Sequence, residues 1–386
     1  MNTVHELRKF VAPEFVIGVD ARKLVSRYAA NLMARNILIV TDPGVIQAGW
    51  SKEIADNLKS AGIPHHIFSD VSSNPQDKEI MAGAEFYEKK KCDSIVVIGG
   101  GSPIDCAKGI GIVSSNKRHI LAFEGVDQVN RPGPPLICIP TTAGSSADVS
   151  QFAIVTDTGR RLKIAIISKT LVPDVSLIDP VTLTTMPPEL TAYTGMDALS
   201  HAFEAYVSNA NSSVTDLFAL EAIRLISINL LLAIQKPLDY ELRSKTMRGS
   251  LFAGLAFSNA SLGAVHAMAH SLGGFLDVAH GECNSILLST VVEFNFDAAT
   301  QRYVSIAEAM GLNLAGMNDS VKKEALVGEI ERLRKSLGFD QNLAQLGVRK
   351  SDIPALAEKA LNDPCLATNP RQPTRQDLER LYELAL

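Results

Sequence analysis

The sequence predicts an α/β domain built on a parallel sheet, followed by an all-helical domain. In the first half, short runs rich in β-branched residues alternate with segments of helical periodicity. After the paired prolines Pro187 and Pro188 the strand pattern stops, and Ala- and Leu-rich helical segments follow one another. The chain has 386 residues, which is more than one domain usually holds. We therefore place a domain boundary between residues 184 and 185.

Composition and charge exclude several classes of protein. Hydrophobic residues make up 46% and charged residues 20% of the chain, which is ordinary globular usage and argues against disorder. The net charge is −5 and Lys and Arg are scattered, so a nucleic-acid partner is not expected. Five separate cysteines without a CxxC pair favour a reducing compartment. Because no apolar run reaches the length of a signal peptide or a membrane span, we expect a cytoplasmic protein without a membrane partner.

The strands of the first domain are predicted from β-branched runs with helical segments between them. Such alternation is typical of βαβ units, and these units place their strands in a parallel sheet. Two later runs flank the turn Asp157-Thr158-Gly159, which predicts a hairpin. The predicted strands are 36–41, 65–69, 94–99, 135–140, the hairpin pair 151–156 and 163–167, and a last strand 175–179, and the helices between them are 51–61, 76–90 and 103–114.

The second domain is predicted to contain only helices. Its segments carry apolar residues at helical spacing, and turn residues separate them. We find no internal repeat. The predicted helices are 189–208, 213–235, 240–259, 262–276, 283–294 and 321–337. Because open α/β sheets bind ligands beyond the carboxyl ends of their strands, we expect the functional site in the cleft between the two domains.

A glycine-rich loop follows the predicted strand 94–99. Gly99, Gly100 and Gly101 allow a tight turn, and Ser102 and Pro103 begin the next helix. The N-terminus of a helix binds phosphate through its free amides and its dipole. The spacing is not GxGxxG, so the loop indicates phosphate binding without the full fingerprint of a Rossmann domain. The alternative is a tight strand-to-helix turn with no ligand.

Two further features at the same predicted sheet edge favour a dinucleotide. Asp42 ends the strand 36–41, where a carboxylate can bind the ribose hydroxyls and favour NAD over NADP. The loop 140–148 after the strand 135–140 is rich in hydroxyls that suit ribose, phosphate or the nicotinamide amide. The alternatives are an N-cap for Asp42 and a hydroxyl-rich turn for the loop. Together with the glycine loop, these features predict a Rossmann-like dinucleotide-binding domain.

A cluster of histidines begins the helical domain. Asp197 and His201 stand four residues apart, so they share one helix face, and His266 and His270 repeat that spacing. His280 opens a further segment. Any one of them is as often a buried core histidine as a ligand, but several imidazoles and a carboxylate on apolar helices are costly unless they bind a cation. This donor set, without thiolate, suits Fe²⁺, Zn²⁺, Mn²⁺ or Co²⁺.

The motifs in this order resemble the iron-dependent (group III) alcohol dehydrogenase family. They are GGGSPIDCAK, PTTAG, GMDALSHAFEAY, VHAMAHSLGG, HGECN and NPRQPT, and they span nearly the whole chain. The resemblance implies an N-terminal dinucleotide domain, a helical metal-binding domain and a homo-oligomer. It also implies a ferrous ion held by Asp197, His201, His266 and His280, with His270 as a histidine beside the substrate that is available for proton relay.

The same resemblance implies the contacts of the cofactor NAD. The family commonly reads PTTAGTGSEVT, whereas Ser145-Ser146-Ala147-Asp148 here replaces a glycine and shortens the acid. Asp105 is expected to anchor the glycine loop. The residues implied at the cofactor are Asp42, Gly100, Gly101, Ser102, Thr141, Thr142, Ser145, Lys163 and Leu183.

The implied activity is a metal-dependent hydride transfer between NAD(H) and a small primary alcohol or diol, or its aldehyde. Phe257, Phe275 and Cys365 are candidates for the substrate pocket, with core packing as the alternative. A dehydroquinate synthase-like lyase would need basic residues for its anionic substrate, and the segments FSNASLGAVHAMAH and GGFLDVAHGECN lack them. A glycerol dehydrogenase-like zinc enzyme stays open as a second interpretation, and a non-catalytic module that binds metal and nucleotide as a third.

Overall fold

A six-stranded parallel sheet forms the framework of the first half. The structure, a computed structural model, describes residues 7–160, 162–276, 278 and 280–386. The strands are ordered β1-β9-β6-β4-β2-β3, and every neighbouring pair is parallel. They are β1 (Glu14–Ile17), β2 (Ile37–Val40), β3 (His65–Phe68), β4 (Ser94–Gly99), β6 (Leu136–Pro140) and β9 (Val175–Ile178).

Helices cover both faces of this sheet, which explains why its central strands are continuous apolar runs. Along β2, Ile37 and Ile39 join one buried cluster, and Leu38 and Val40 join the other, as the two-residue period of a strand requires. The first cluster includes residues of α1 and α3, and the second includes residues of α4 and α5. These helices, with the short α2, are α1 (Val25–Asn31), α2 (Pro43–Gln47), α3 (Trp50–Ser60), α4 (Asp77–Lys89) and α5 (Gly101–Asn116).

A small second sheet lies beside the first. Its order is β5-β8-β7, and β7 (Phe152–Asp157) pairs antiparallel with β8 (Leu162–Ile167). The predicted hairpin is therefore confirmed. The third strand, β5 (Gly125–Val126), pairs with β8 in parallel.

The described residues from Pro188 onward form helices and loops without a strand. Helices α6, α7 and α8 pack together at the centre of one large apolar cluster. By length and composition α7 could cross a membrane, and so could the bent pair α8–α9; in the structure α7 packs on α6 and α8. The helices are α6 (Pro188–Val207), α7 (Ser213–Gln235), α8 (Tyr240–Ala260), α9 (Ala264–Leu276), α10 (His280–Asn295), α11 (Thr300–Ala309), α12 (Asp319–Ser336), α13 (Ile353–Leu361) and α14 (Arg375–Leu384).

The predicted fold class is confirmed, and the errors lie in short or marginal elements. Strands β1 and β5 were not predicted, because β1 is a mostly exposed edge strand and β5 has two residues, too few to show periodicity. The unpredicted helices are α1, α2, α11, α13 and α14. Helix α10 begins at His280, three residues before the predicted start, so His280 lies in the first turn of that helix.

The order of the strands positions the functional loops. In the pair β4–β6, Gly99 lies opposite Pro140, so the glycine loop and the hydroxyl-rich loop leave the sheet side by side at its carboxyl edge. Gly144 of the second loop lies against α6, because a Cβ atom added to it would come within 2.7 Å of Thr194 Cβ. The helical half therefore contacts the sheet at the edge where the candidate cofactor loops emerge.

Candidate functional site

Four side chains from three helices converge on one point. Asp197 and His201 come from α6, His266 from α9 and His280 from α10. Asp197 Oδ1 lies 3.9 Å from His201 Nε2, 3.6 Å from His266 Nε2 and 3.9 Å from His280 Nε2. The four predicted metal ligands are therefore neighbours, although they are separated along the chain.

Close helix packing makes this convergence possible. The chain turns by 101° between α8 and α9, and Ser261 at the bend has a positive φ of 63°. At the start of α10, a Cβ atom on Gly281 would lie 2.0 Å from the carbonyl oxygen of Tyr193 on α6. Only glycine fits there, and its absent side chain lets the first turn of α10, with His280, pack onto α6.

The donor set fits a divalent transition metal. Ligand atoms of Asp197, His201 and His266 all lie within 4.8 Å of one another, and all three residues are buried. His280 adds a further imidazole whose Nε2 is 3.9 Å from Asp197 Oδ1. Imidazole nitrogens with one carboxylate oxygen and no thiolate suit Fe²⁺, Zn²⁺ or Mn²⁺. The carboxylate of Asp197 is buried among three buried or half-buried imidazoles, and a bound cation would neutralise its negative charge.

Burial and mutual charge set the protonation of the cluster. Burial opposes the charge on Asp197, but the neighbouring histidines outweigh it and hold the pKa of this carboxyl below its usual range. Burial lowers the pKa of His201 to about 3 and that of His280 well below its usual value. Burial also opposes a charge on His266, but Glu204 and Asp197 overcome it and raise its pKa to about 9. A cation that binds Nε2 of His266 would therefore compete with a proton.

Two buried residues that the sequence analysis missed hold the ligands in place. Glu204 Oε2 lies 2.5 Å from His266 Nδ1, and its Oε1 accepts a 2.6 Å bond from the amide of Val265. Asn284 Nδ2 donates to Asp197 Oδ1 over 2.7 Å and lies 3.1 Å from His266 Nε2. Spacing could have indicated both, because Glu204 is seven residues after Asp197 on α6 and Asn284 is four after His280 on α10.

His270 lies beside the cluster and pairs with a different acid. Its Nδ1 is 2.8 Å from Asp363 Oδ2, and its ring stacks on His280 with centroids 5.1 Å apart. His270, Asp363 and Cys365 form a second group with ligand atoms within 4.8 Å of one another. Burial raises the pKa of the Cys365 thiol well above its usual value, so Cys365 is not a thiolate.

The aromatic candidates for the substrate pocket take different positions. Phe257 is buried and stacks on His201 with centroids 4.2 Å apart, so it packs against the metal cluster. Phe275 on α9 is 48% exposed and does not belong to the core. The position of Phe257 agrees with a wall near the histidines, whereas a role of Phe275 in the substrate pocket stays a prediction.

The glycine loop and the hydroxyl loop touch each other. A Cβ atom on Gly100 would lie 3.0 Å from Thr142 Cγ2, and one on Gly101 would lie 2.7 Å from Ser145 Oγ. Gly100 is the N-cap of α5 and has no side chain to cap its amides, so those N–H groups are left for a ligand or water. Ser102 Oγ donates to the carbonyl of Ser73. Among the cofactor candidates, Thr141 is buried at the start of the same hydroxyl loop.

A buried hydroxyl without a partner in the described part of the chain lies at the sheet edge next to β2. Thr41 is fully buried at the end of β2, and its hydroxyl has no hydrogen-bond partner within the described part of the chain. The next residue, Asp42, is the N-cap of α2, and its Oδ1 accepts a 2.9 Å bond from the amide of Val45. The predicted alternative of an N-cap at Asp42 is thus realised, and the contact of Asp42 with a ribose stays a prediction.

The remaining residues predicted near the cofactor or the glycine loop differ in burial and in their partners. Lys163 Nζ donates to Asn74 Oδ1 over 2.7 Å and also lies near α9, since a Cβ on Gly273 would be 3.4 Å from it. Leu183 is fully buried in an apolar cluster with Ala143 and Met186, and its place near the cofactor stays a prediction. Asp105 Oδ2 accepts a 3.2 Å bond from the amide of Ile154, which ties α5 to β7.

The departure from the family's loop pattern occurs at a left-handed residue. Ser146 has a φ of 50°, a conformation that favours the glycine found there in the pattern. Its hydroxyl donates to the carbonyl of Ser250 over 2.7 Å. A Cβ atom on Gly254 of α8 would lie 2.4 Å from Ser146 Cβ, so Gly254 makes room for the serine.

Comparisons with known proteins identify relatives over the full length. A family model described as Iron-containing alcohol dehydrogenase matches residues 12–180, and one described as Fe-containing alcohol dehydrogenase family, C-terminal, matches residues 191–386. The chain is 38% identical to the NAD-dependent methanol dehydrogenase of Bacillus methanolicus over 98% of this chain and 99% of that protein. It is 39% identical to the 1,3-propanediol dehydrogenase of Klebsiella pneumoniae, over 95% and 96% of the two chains. A crystal structure of a 1,3-propanediol oxidoreductase superimposes with a TM-score of 0.96 at 37% identity, covering 99% of this chain and 100% of that one.

Proposed function

The chain belongs to the iron-containing alcohol dehydrogenase family and is an NAD- and metal-dependent oxidoreductase of alcohols and aldehydes, and we propose that Asp197, His201, His266 and His280 hold its iron. The observation that carries this assignment is the convergence of three imidazole Nε2 atoms within 3.9 Å of Asp197 Oδ1. The buried contacts from Glu204 and Asn284 support it, because metal ligands are usually oriented by hydrogen-bonded neighbours.

The cofactor is proposed to lie along the carboxyl edge of the sheet and to end near the metal cluster. The uncapped amides at the start of α5 suit the pyrophosphate, and the unpartnered hydroxyl of Thr41 suits a nearby polar group of the nucleotide. Asp42 would keep its capping bond through Oδ1 while Oδ2 binds the ribose. The proposed contacts are Asp42, Gly100, Gly101, Ser102, Thr141, Thr142, Ser145, Lys163 and Leu183, with the domain boundary between residues 184 and 185.

The residues of the chain position and deprotonate the alcohol. When bound, the ferrous ion supplies a Lewis acid that makes the hydroxyl of an alcohol more acidic, and NAD⁺ supplies the hydride acceptor. His270 is proposed as the catalytic group that takes the hydroxyl proton at Nε2, because its Nδ1 is bonded to Asp363 at 2.8 Å and donates there. Phe257 stacks on His201 with ring centroids 4.2 Å apart, so one face of this imidazole packs against an apolar ring.

We propose that the substrate is a small primary alcohol or diol and its aldehyde. The relatives named for methanol and 1,3-propanediol support this size class. A homo-oligomer in the cytoplasm is proposed with it, on the resemblance to the family and on the five buried free cysteines, which fit a reducing compartment.

Metal analysis of anaerobically purified protein, joined to an alcohol panel at fixed NAD⁺, tests the proposal. We expect about one iron per chain and NADH formation with short primary alcohols and diols. An iron-loaded protein that forms no NADH with any of them would contradict the substrate class. A protein that contains much less than one iron per chain, and that takes up no more when iron is added, would contradict the ligand assignment. Product analysis separates this activity from a lyase that uses NAD only transiently.

A further inference from the structure

A fully buried arginine, Arg243, lies in the helical half and has no acidic partner among the described residues. It belongs to the first turn of α8, and its side chain is among the largest that are fully buried, at 1% exposure. Its Nε donates to the carbonyl of Pro237 over 2.9 Å, and its Nη1 donates to Thr191 Oγ1 over 3.0 Å. Both acceptors are neutral. The guanidinium charge is therefore held in the interior by two hydrogen bonds to uncharged groups.

The remaining nitrogen of this guanidinium has no partner. Nη2 is buried and makes no hydrogen bond within the described residues, and no carboxylate there forms an ion pair with Arg243. Burial lowers the pKa of Arg243, and no neighbouring charge offsets the effect. Buried charges in proteins are nearly always paired, because an isolated one costs several kcal/mol. An unpaired guanidinium therefore indicates that a counter-charge is missing from its surroundings.

A small cavity lies next to this arginine. Arg243 and its partner Thr191 line it, together with Thr194 and Thr246, and the rest of its wall is mainly apolar, from Ala143, Leu183, Met186, Ile226 and Leu230. Its open space holds about one water-sized particle. A phosphate, a sulfate or a carboxylate is too large for that space. Among the described residues, Arg243 is the one charged group in the wall, so the cavity favours an occupant of negative charge.

We propose that this cavity is a binding site for a small monovalent anion of halide size, held by the guanidinium of Arg243. The anion pairs the buried charge, accepts from Nη2 and fills the space between α6, α7 and α8. Thr194 and Thr246 complete the shell, since each hydroxyl can rotate from its backbone carbonyl toward the anion. Ala143 lies in the hydroxyl loop after β6, so the anion also fixes the contact between that loop and the helical half.

The site is separate from the metal and cofactor sites. Its polar groups, Arg243, Thr191, Thr194 and Thr246, belong to neither proposed ligand set, and the metal ligands Asp197 and His201 do not line the cavity. Leu183 is the one proposed cofactor neighbour in its wall. Binding of the anion can therefore be measured by stability, without turnover.

Thermal unfolding of the holoenzyme in chloride and in gluconate at equal ionic strength tests the proposal. Gluconate does not fit the cavity, so we expect the unfolding midpoint to rise with chloride concentration and to saturate, as a single-site ligand requires, and to stay flat in gluconate. In Arg243→Met the chloride dependence is expected to disappear. Arg248→Met is the matched control, because Arg248 is exposed on the same helix, and it is expected to keep the dependence.

Crystals soaked in bromide supply a measurement that does not depend on the variant folding. We expect an anomalous peak within hydrogen-bond distance of Arg243 Nη2 in the wild-type protein. An ordered water there without a bromide signal would overturn the proposal. Equal midpoints in chloride and gluconate, or a chloride dependence that survives in a folded Arg243→Met variant, would overturn it as well.

Discussion

The carboxylate of Glu204 lies 2.5 Å from Nδ1 of His266, on the imidazole whose Nε2 lies 3.6 Å from Asp197. The imidazole of His266 therefore lies between two carboxylates, with Nδ1 toward Glu204 and Nε2 toward Asp197. Glu204 accepts from Nδ1, and this leaves Nε2 to face the proposed metal position. The geometry makes Glu204 a positioning residue for the metal site.

Replacing Glu204 with Gln is expected to weaken metal binding about 10- to 100-fold, because the amide holds Nδ1 less firmly than the carboxylate does. The measurement is a titration of metal-free protein with Fe²⁺ or Co²⁺, followed calorimetrically or by absorbance. Glu221→Gln is the control, since Glu221 forms its ion pair at the surface with Arg224. Unchanged affinity in Glu204→Gln would show that Glu204 does not position His266.

The stability of the metal-free protein is expected to fall as pH rises from about 6.5 to about 9. Glu204 and Asp197 overcome the effect of burial and raise the pKa of His266 to about 9, above its value of about 6.5 in the unfolded chain. The folded state then binds the proton more tightly, so this stabilisation is complete below about pH 6.5 and is lost through about pH 9. Chemical denaturation at several pH values measures it. A Glu204→Gln variant whose pH dependence equals that of the wild type would contradict the assignment.

Replacing His266 and replacing His270 are expected to affect bound iron and turnover differently. His266→Ala removes a proposed ligand, so both bound iron and turnover should be lost. His270→Asn removes the proposed proton acceptor but no ligand, so we expect iron to stay bound while kcat falls about 10²- to 10⁴-fold. Metal content and steady-state kinetics are measured on the same samples. An iron-free but active His266→Ala protein would refute the ligand set, and full activity in His270→Asn would refute the proton step.

Asp42→Gly is expected to let NADP⁺ compete with NAD⁺. The carboxylate after β2 repels a 2′-phosphate, and its loss removes that repulsion. The variant also loses the N-cap bond to Val45, although glycine is tolerated at an N-cap, so we expect only a small loss of stability. Asp42→Ser keeps a capping oxygen without the charge and separates the two effects. The measurement is the ratio of kcat/KM for the two cofactors, and a ratio unchanged in both variants would exclude Asp42 from the ribose site.

Gly254→Ala is expected to destabilise the protein by about 1–3 kcal/mol, because the new methyl group would lie 2.4 Å from Ser146 Cβ. In the double variant with Ser146→Gly that clash disappears, although Val149 Cγ2 at 2.8 Å still limits the space. We therefore expect the double variant to recover part of the lost stability. Denaturant unfolding of the four proteins measures the coupling, and strictly additive effects would show that the two positions do not interact.

Local sequence patterns are sufficient to assign the classes of secondary structure and the segments that carry the candidate site residues. The buried strands, the hairpin and the long helices have local periodicity, and the pair Asp197 and His201 has helical spacing, so all of these can be read without coordinates. The glycine loop after β4 also has a local signature. Short or half-exposed elements such as β1 lack one, because pairing with β9 rather than local pattern makes them strands.

Which side chains meet in the folded chain is not predictable from local patterns. Glu204 contacts His266, Asp363 contacts His270, and Arg243 lines a cavity without an acidic partner among the described residues. Each of these relationships joins segments that are distant in sequence. Such contacts depend on how the helices cross and on where a glycine such as Gly281 lets them approach. Local periodicity predicts which face of a helix is buried, but the partner of that face follows from packing the whole chain.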